Sequence, residues 1–355
     1  MRRHKKTVAI ICGGRSQEHE VSLQSAYYVF KNLDRKRYRV VLLGVDKKGH
    51  WHFASRYNDL VIRKEPLGEM RKGLAEVVLI KEREKVGVFD ISKRRIVKRI
   101  DIFFPLIHGT FGEDGCLQGY LELLGLPYVG AGVLGSALGM DKEYTKRLLQ
   151  AEGIAVAPFA VLRYKSGENQ NKVRMMIKKY GFPLFVKPVS LGSSVGVSKA
   201  FNEKELKKAI TLAFRYDKRI IIEKYIPGRE IECSVLGNEN PQASLPGEII
   251  PHHSFYSYEA KYLDPQGADL LAPAPLSSFL TKKVQRLSKK VFQVLGLRGM
   301  ARVDYFLQRG GRLVVNEVNT IPGFTKISMY PRLWEVSGLS YPKLLTKLIQ
   351  LAQEK

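Results

Sequence analysis

The stretch Ala301–Asn319 reads ARVDYFLQRGGRLVVNEVN, two apolar runs separated by a polar break that contains a Gly-Gly pair. Two glycines between alternating segments are typical of a β-hairpin, because glycine tolerates the positive φ angles of a tight turn. With Gly310 and Gly311 as a two-residue turn, Arg309 pairs with Arg312. A four-residue loop over Arg309–Arg312 keeps the same register. The stretch therefore predicts two antiparallel strands of defined pairing.

Counting back along this ladder puts Asp304 opposite Glu317 and Arg302 opposite Asn319. All four lie on one face, because strand side chains alternate. Two carboxylates side by side on a sheet are unfavourable unless a cation lies between them. Oxygen ligands without histidine or cysteine favour Mg²⁺ or Mn²⁺. The alternative is a solvated hairpin face. The pairing thus predicts a divalent-metal site for phosphate chemistry.

The composition indicates a globular protein of two or three domains, since the chain has 355 residues and 45% of them are hydrophobic. Three dispersed cysteines, Cys12, Cys116 and Cys233, form no CxxC site and suit a reducing cytoplasmic location. After a basic start, the apolar run Val8–Cys12 is too short for a signal peptide or a membrane span. We expect no membrane insertion.

The net charge is +25, from 59 Lys and Arg against 34 Asp and Glu. This balance admits an alternative, a non-catalytic nucleic-acid-binding protein. The basic residues are nevertheless spread along the chain without a dense tail or a recognisable binding motif, so we expect no nucleic-acid partner. A positive field would instead help to attract a polyanionic nucleotide.

The apolar runs predict an α/β fold. The buried strand Thr7–Cys12, the helix Glu20–Asn32 and the strand Val40–Val45 form a βαβ unit. We interpret Val129–Ala137, with its glycines, as a tight turn. The predicted domains are an N-terminal α/β domain over 1–139, a central domain over 140–226 and a C-terminal domain over 227–355.

A second glycine-rich segment, Leu191–Val197, follows the strand that carries Lys187. Glycine lets the backbone approach a phosphate closely, and lysine adds a positive charge. The alternative is an ordinary glycine hairpin, and the Walker pattern is absent. Farther on, Glu223 ends an apolar strand and suits an adenine amino group, and Glu230 lies within reach of a ribose. For either carboxylate the alternative is a solvated strand end.

The order of these motifs resembles that of the ATP-grasp enzymes, and among them the D-alanine–D-alanine ligase family. The segments that carry the resemblance are Gly13–Ser22 (GGRSQEHEVS), His108–Gly115 (HGTFGEDG), Met140–Lys142 (MDK), Glu259–Tyr262 (EAKY) and Asn316–Thr325 (NEVNTIPGFT). The resemblance covers the chain from about Thr7 to Ala352. It implies an ATP-grasp fold, in which a Rossmann-like parallel-sheet domain precedes two α+β domains that grip ATP.

The resemblance also implies an activity. ATP would phosphorylate one D-alanine and a second D-alanine would attack the acyl phosphate, giving D-alanyl-D-alanine for peptidoglycan precursors. Dimerisation through the N-terminal domain is a further expectation from the family. The nearer alternative is an ATP-grasp ligase with D-lactate or D-serine as its second substrate. The tyrosine at Tyr262 favours D-alanine, and the polar loop Ser254–Pro273 is expected to be a closing lid.

Individual roles follow from the resemblance as well. Two Mg²⁺ or Mn²⁺ ions would be held by Asp304, Glu317 and Asn319. The nucleotide would be bound by Lys142, Lys187, Ser193, Ser194, Val195, Glu223, Lys224, Ile226, Glu230 and Asn316. The first D-alanine would be bound by Glu18 and His108, and the second by Lys261 and Ser328. An orienting set would consist of Glu18, Ser193 and Tyr262, and the oxyanion of the tetrahedral intermediate would be stabilised by Arg302 and the N–H of Gly323.

Overall fold

The computed structural model describes residues 5–62, 68–252 and 267–354. The N-terminal elements are β1 (Lys6–Gly13), α1 (His19–Asn32), β2 (Tyr38–Val45), β3 (Trp51–Ala54), α2 (Tyr57–Leu60), β4 (Val61–Ile62), β5 (Glu69–Met70), β6 (Val77–Glu82), β7 (Lys85–Asp90), β8 (Arg95–Ile100), β9 (Ile102–Pro105), α3 (Cys116–Leu124) and α4 (Val133–Met140). Their main sheet has the order β3-β2-β1-β9, and β1 pairs in parallel with β2 and β9. Strand β1 is buried from its second residue onward, as an apolar parallel strand should be.

The central elements are α5 (Lys142–Ala151), β10 (Phe159–Arg163), α6 (Asn169–Tyr180), β11 (Leu184–Pro188), β12 (Ser198–Ala200), α7 (Glu203–Ala213) and β13 (Arg219–Lys224). They form an antiparallel sheet of order β10-β13-β11-β12. Along β13, Ile220 and Ile222 pack in one apolar core, while Ile221 belongs to a cluster on the opposite face. Because side chains alternate, Glu223 shares the face of Ile221.

The C-terminal elements are β14 (Arg229–Gly237), β15 (Gln242–Ala243), β16 (Gly247–Pro251), β17 (Ala268–Leu271), α8 (Ser278–Val294), β18 (Gly299–Leu307), β19 (Leu313–Asn319), α9 (Met329–Val336) and α10 (Tyr341–Leu351). The sheet has the order β17-β16-β14-β18-β19, with β15 beside β14. Helix α10 buries Leu344, Leu345 and Leu348 in the same apolar core as Val8 and Ile10 of β1. The end of the chain therefore completes the core of its beginning.

The predicted pairing of Asp304 with Glu317 is confirmed, but the predicted turn is wrong. The loop is a three-residue turn, Arg309–Gly311, closed by Gln308 N donating to Arg312 O at 2.9 Å. A β-bulge then restores the predicted register. Tyr305 pairs with Val315 and Asp304 with Glu317, which leaves Asn316 as the extra residue.

The interpretation of Val129–Ala137 as a tight turn is wrong in its second half, where helix α4 begins. The glycines there permit close packing instead of a turn. A Cβ at Gly135 would lie 2.9 Å from Gly296 O, and one at Gly139 only 2.5 Å from Thr320 Cγ2. Glycine thus lets α4 approach the end of β19, beside the predicted metal ligands.

Candidate active site

A cavity of about 540 Å³ is lined by residues from all three parts of the chain. This volume is in the range of pockets that hold small ligands and cofactors. The predicted site residues among its lining are Glu18, His108, Lys142, Lys187, Ser193, Ser194, Glu223, Lys224, Ile226, Glu230, Arg302, Asp304, Asn316, Glu317, Asn319, Gly323 and Ser328. The predicted Val195 lies in the same loop as Ser194 but is not part of the lining. Lys261, Tyr262 and most of the predicted lid lie outside the described residues.

One end of the cavity contains a lysine cluster, Lys142, Lys146 and Lys187 around Glu223. Lys146 Nζ lies 2.9 Å from Glu223 Oε1, and Lys187 Nζ lies 2.8 Å from Glu223 Oε2. Strands β13 and β11 bring Glu223 and Lys187 together, and the first turns of α5 supply the other two lysines. Asp141 caps this helix by accepting from Tyr144 N at 3.0 Å, which fixes where α5 begins.

Burial and charge act against each other in the lysine cluster. Burial raises the pKa of the Glu223 carboxyl, but Lys146 and Lys187 outweigh burial and lower it to about 2. Burial also lowers the pKa values of Lys142 and Lys146, opposed by Glu317 at the first and Glu223 at the second. Three ammonium groups share one carboxylate here, so the cluster has an excess of positive charge facing the cavity.

The glycine-rich loop 191–197 connects the lysine cluster to the N-terminal part. Lys142 Nζ donates to Leu191 O at 2.5 Å, and Ser193 Oγ donates to Glu18 Oε1. Ser193 and Ser194 both have left-handed backbones, with φ of +49° and +60°, although neither is glycine. The loop is thus held at both of its sides by predicted site residues.

A carboxylate cluster occupies the C-terminal sheet. Glu232, Asp304 and Glu317 lie in register on three adjacent strands, β14, β18 and β19. Arg302 makes two hydrogen bonds to Asp304, from Nε at 2.8 Å and from Nη2 at 2.7 Å. Its Nε also lies 3.1 Å from Glu232 Oε2. Asn319 Nδ2 donates to Asp304 Oδ2 at 2.9 Å, which completes the predicted face.

Arg302 is the guanidinium that faces this row of acids. Burial disfavours its charge, but Asp304 and Glu232 more than compensate, so the pKa of Arg302 lies well above its usual value. Its fork is fixed by two carboxylates rather than one, which gives it a defined orientation toward the cavity. Gly323 and Ser328 lie nearby in the lining, so close that a Cβ on Gly323 would be 2.7 Å from Ser328 Oγ.

His108 lies fully buried at the N-terminal end of the cavity. Its Nδ1 donates to Ile321 O at 2.9 Å, and its Nε2 lies 3.0 Å from Ser25 Oγ. Burial lowers the pKa of His108, so the ring is neutral and Nε2 accepts from the Ser25 hydroxyl. Ser25 Oγ in turn accepts from Phe324 N at 3.2 Å. The ring is therefore held in one tautomer by α1 and the segment after β19.

Glu113 ties the loop after His108 to the end of the hairpin. Its carboxylate accepts from Gly109 N at 3.0 Å, Ile321 N at 2.8 Å and Thr320 Oγ1 at 3.2 Å. Burial, and then the charge of Glu18, raise the pKa of Glu113 to about 7. This acid fixes the backbone directly after Asn319, the last predicted metal ligand.

Comparisons with known proteins match this arrangement over nearly the whole chain. Residues 7–131 match the D-ala D-ala ligase N-terminus family, and residues 148–350 match the D-ala D-ala ligase C-terminus family. The chain belongs to the D-alanine–D-alanine ligase family. A D-alanine–D-alanine ligase of Thermoanaerobacter sp. is 48% identical over 353 residues, which is 99% of this chain and 97% of that protein.

Two solved structures show that this family member has the ATP-grasp fold. The D-alanine–D-alanine ligase from Coxiella burnetii is 40% identical with a TM-score of 0.84, covering 98% of this chain and 94% of that one. A D-Ala:D-Ser ligase from Enterococcus faecalis is 34% identical with a TM-score of 0.84, covering 98% and 100%. The predicted family and the predicted fold are therefore confirmed, and the nucleic-acid alternative is not favoured.

In this member of the ligase family the end of the cavity that contains the lysine cluster is also aromatic, with Lys187 Nζ 5.7 Å from the Phe185 ring centroid. Phe185, Lys199 and Tyr225 line it, and Lys199 Nζ lies 4.1 Å from the ring centroid of Tyr225. The Phe185 and Tyr225 rings are 6.1 Å apart. A flat apolar group fits such a surface. At this end the Glu223 carboxylate is bound by two lysines, and the Glu223 backbone belongs to β13, which pairs with β10 and β11 on its two sides.

Sequence reasoning missed three polar residues of the site: Lys146, Glu232 and Glu113. Signals for two of them were present. Lys146 is four residues after Lys142 and so lies on the same side of α5. Glu232 is two residues after Glu230 and so shares its face of β14. For Glu113 nothing local indicates the contact with the end of β19, because Thr320 and Ile321 are more than two hundred residues away.

Proposed function

We propose that this protein joins two D-alanine molecules to D-alanyl-D-alanine at the expense of ATP, releasing ADP and phosphate. The observation that carries the proposal is the meeting of the lysine cluster and the carboxylate cluster at consecutive residues, Asn316 and Glu317. One cluster suits phosphate oxygens, and the other suits metal ions and a guanidinium-bound oxyanion. Membership of the ligase family supports the same reaction.

The chemistry explains why both clusters are needed. A carboxylate anion resists attack by an amine, so one D-alanine carboxylate first takes the terminal phosphoryl group of ATP and becomes an acyl phosphate. The amine of the second D-alanine then forms the C–N bond and loses a proton, and phosphate leaves. Phosphoryl transfer of this kind depends on positioning and charge neutralisation more than on covalent participation by the protein.

For the nucleotide, we assign phosphate binding to Lys142 and Lys187 and the covering loop to Ser193, Ser194 and Val195. Asn316 supports Lys187 through a hydrogen bond of 3.2 Å to its side-chain oxygen. Adenine would lie against the aromatic end, with the backbone from Glu223 through Lys224 to Ile226 as its edge, and Glu230 would bind ribose. This assignment uses main-chain groups at the end of β13 for the adenine contact instead of the Glu223 carboxylate.

For the metal, Asp304, Glu317 and Asn319 fit two Mg²⁺ or Mn²⁺ ions, because they present carboxylate and amide oxygens without sulfur or imidazole. No three His, Cys, Asp or Glu side chains in the described part of the chain form a complete metal-ligand group. The remaining ligands would therefore be phosphate oxygens and water. When bound, the ions would neutralise the developing charge on the phosphates.

For the amino acids, Glu18 and His108 would receive the first D-alanine, with Glu18 beside its ammonium. Arg302 and the N–H of Gly323 would stabilise the oxyanion of the tetrahedral intermediate. Ser328 and Lys261 would bind the carboxylate of the second substrate. Ser193 would link Glu18 to Tyr262 in the orienting set. Support for this comes from the Ser193–Glu18 hydrogen bond and the rigid mounting of His108 and Arg302.

To test this proposal, the protein is mixed with ATP, Mg²⁺ and D-alanine, and both the release of phosphate and the mass of the product are measured. Release that requires D-alanine, fails with L-alanine and yields the dipeptide is the expected result. Absence of release with D-alanine would overturn the proposal. Parallel reactions containing D-serine or D-lactate measure the second substrate directly, a relevant choice because one similar structure is a D-Ala:D-Ser ligase.

The remaining assignments concern organisation. We propose domains over 1–139, 140–226 and 227–355, since each main sheet lies within one of these stretches.

Exposed Leu123 and Leu134 on the contacting helices α3 and α4 support a homodimer through the first domain, which sedimentation would test. Peptidoglycan precursor synthesis in the cytoplasm suits the product and the free cysteines, and fractionation of cells would check the location. No described helix is long and apolar enough to cross a membrane.

A further inference from the structure

Lys146 belongs to a closed ring of polar contacts that joins four elements of the protein. Its Nζ lies 2.9 Å from Glu223 Oε1 and donates to Asn316 O at 3.3 Å. Lys187 Nζ completes the ring, at 2.8 Å from Glu223 Oε2 and 3.2 Å from Asn316 Oδ1. The ring therefore connects α5, β13, β11 and β19 through four side chains and one main-chain carbonyl.

Asn316 is the bulged residue of β19, and this explains why the ring matters. A bulge leaves the extra residue outside the regular ladder, so its polar groups need other partners. Here both the carbonyl and the side-chain oxygen of Asn316 accept from lysines. The same bulge puts the next residue, Glu317, opposite Asp304. The ring thus stabilises the irregularity that aligns two predicted metal ligands.

Lys146 differs from the other two lysines in what it can reach. Its side chain is 2% exposed, against 13% for Lys187. Lys142 Nζ is directed to the glycine-rich loop through Leu191 O. Within the described residues, Lys146 Nζ instead has polar contacts to the Glu223 carboxylate, which also pairs with Lys187, and to the Asn316 carbonyl, next to Glu317. Its position is suited to holding the two clusters together rather than to binding ATP itself.

We propose that Lys146 is a positioning residue that couples ATP binding at the lysine cluster to metal binding at the carboxylate cluster. The inference rests on the proposed roles of Lys187 with phosphate and Glu317 with metal. Because one ammonium group bridges both clusters, its loss should weaken both kinds of binding together. Contacts to the first D-alanine, which lie at Glu18 and His108, should be left intact.

The experiment compares Lys146→Met, which keeps the length of the side chain but removes its charge and donors, with wild type and Arg147→Met. Arg147 is the adjacent residue on α5, and its side chain is 59% exposed and is not part of the cavity lining. It pairs with the buried Glu143, and its guanidinium lies 6.0 Å from the Phe159 ring centroid. Steady-state rates give kcat, the KM for ATP, the KM for D-alanine and the free Mg²⁺ concentration at half-maximal rate. Thermal unfolding gives the folded fraction of each variant.

In Lys146→Met we expect the KM for ATP and the half-saturating Mg²⁺ concentration each to rise about tenfold, the loss typical of a hydrogen bond to a charged group. The KM for D-alanine should change by less than about twofold, and Arg147→Met should match wild type in every constant. A fall in kcat alone, in proportion to the folded fraction, would overturn the inference. So would a change in only one of the ATP and Mg²⁺ constants.

Two further variants keep the result interpretable. If Lys146→Met does not fold, Lys146→Gln supplies the same test, because an amide can still donate to one partner without the charge. Lys187→Met separates this inference from the site assignment on which it rests. If Lys187→Met leaves the KM for ATP unchanged, the assignment of the phosphate site fails. If Lys187→Met raises it and folded Lys146→Met does not, only the coupling role of Lys146 fails.

Discussion

The lysine cluster and the carboxylate cluster both combine buried and half-buried side chains, and their charges are unbalanced in opposite directions. The first brings three ammonium groups around one carboxylate, that of Glu223. The second aligns three carboxylates with one guanidinium, that of Arg302. They adjoin in one strand, where Asn316 accepts from Lys146 and Lys187 and the next residue, Glu317, belongs to the carboxylate cluster.

Burying an unbalanced charge is unfavourable unless a ligand compensates it. An anionic phosphate would neutralise the excess of the lysine cluster, and divalent cations would neutralise that of the carboxylate cluster. The opposite charges of the two clusters therefore match the two parts of a metal–nucleotide complex. Neither cluster alone indicates this ligand, because the lysine cluster suits only the phosphates and the carboxylate cluster suits only the metal ions.

The strongest way to break this comparison is to remove a charge where the clusters adjoin. In Glu317→Gln we expect turnover to fall at least about a hundredfold, the scale seen when one preorganised electrostatic contact is lost. A neutral amide binds a divalent cation less well than a carboxylate does. Phosphate release measured across a Mg²⁺ titration checks this, with Glu335→Gln on the exposed face of α9 as the control.

Unchanged phosphate release from Glu317→Gln at saturating Mg²⁺ would contradict the role of the carboxylate cluster. A normal rate in that variant with an altered KM for ATP would instead indicate that Glu317 acts with the lysine cluster in nucleotide binding.

How much of this was available in the sequence differs between the two clusters. The carboxylate cluster follows from alternation along a hairpin, so the pairing of Asp304 with Glu317 could be predicted from a local rule. Even there, the local rule was wrong at the loop, and the register was kept because the three-residue loop and the bulge compensate each other. Glycine indicates a turn but does not specify its length.

The lysine cluster was only partly predictable, because its decisive contacts connect distant segments. Lys146 reaches Asn316 across 170 positions, and Lys187 reaches the same residue across 129. Helix α4 was missed for a related reason. Gly135, one of the glycines that suggested a turn, is required by packing against Gly296, which no neighbouring residue indicates. Hydrophobic periodicity and turn residues predict individual helices and strands, whereas the site depends on how these elements pack together.

A second prediction sharpens the comparison through pH, since buried glutamates near the two clusters have opposite shifts. The pKa of Glu223 is lowered to about 2, whereas that of Glu113 is raised to about 7. Between its unfolded value of 4.5 and about 7, Glu113 binds a proton more tightly in the folded state, so stability should fall as pH rises. The loss is at most about 3 kcal/mol.

Unfolding free energies of wild type and Glu113→Gln, measured from about pH 5 to pH 8, test this directly. The glutamine cannot ionise, so the stability advantage of wild type over the variant should shrink as pH rises. Glu239→Gln, an exposed surface change, should give a constant difference from wild type. An advantage that stays constant or grows with pH in the Glu113 comparison would show that the carboxylate is ionised throughout.

The smallest expected effect is that of a lysine outside the lysine cluster. It tests whether burial next to a carboxylate, and not positive charge alone, makes a lysine important for ATP binding. Lys199 lines the same cavity, but it is only partly buried and its Nζ lies over the Tyr225 ring at 4.1 Å. A cation–π contact at such a site contributes about 0.5–1 kcal/mol, so Lys199→Met should raise the KM for ATP only about two- to fivefold. Lys199→Arg keeps the cation over the ring and should remain close to wild type. An effect of Lys199→Met as large as that of Lys187→Met would mean that any cation in the cavity serves equally. The carboxylate-bound lysines would then have no special role in ATP binding.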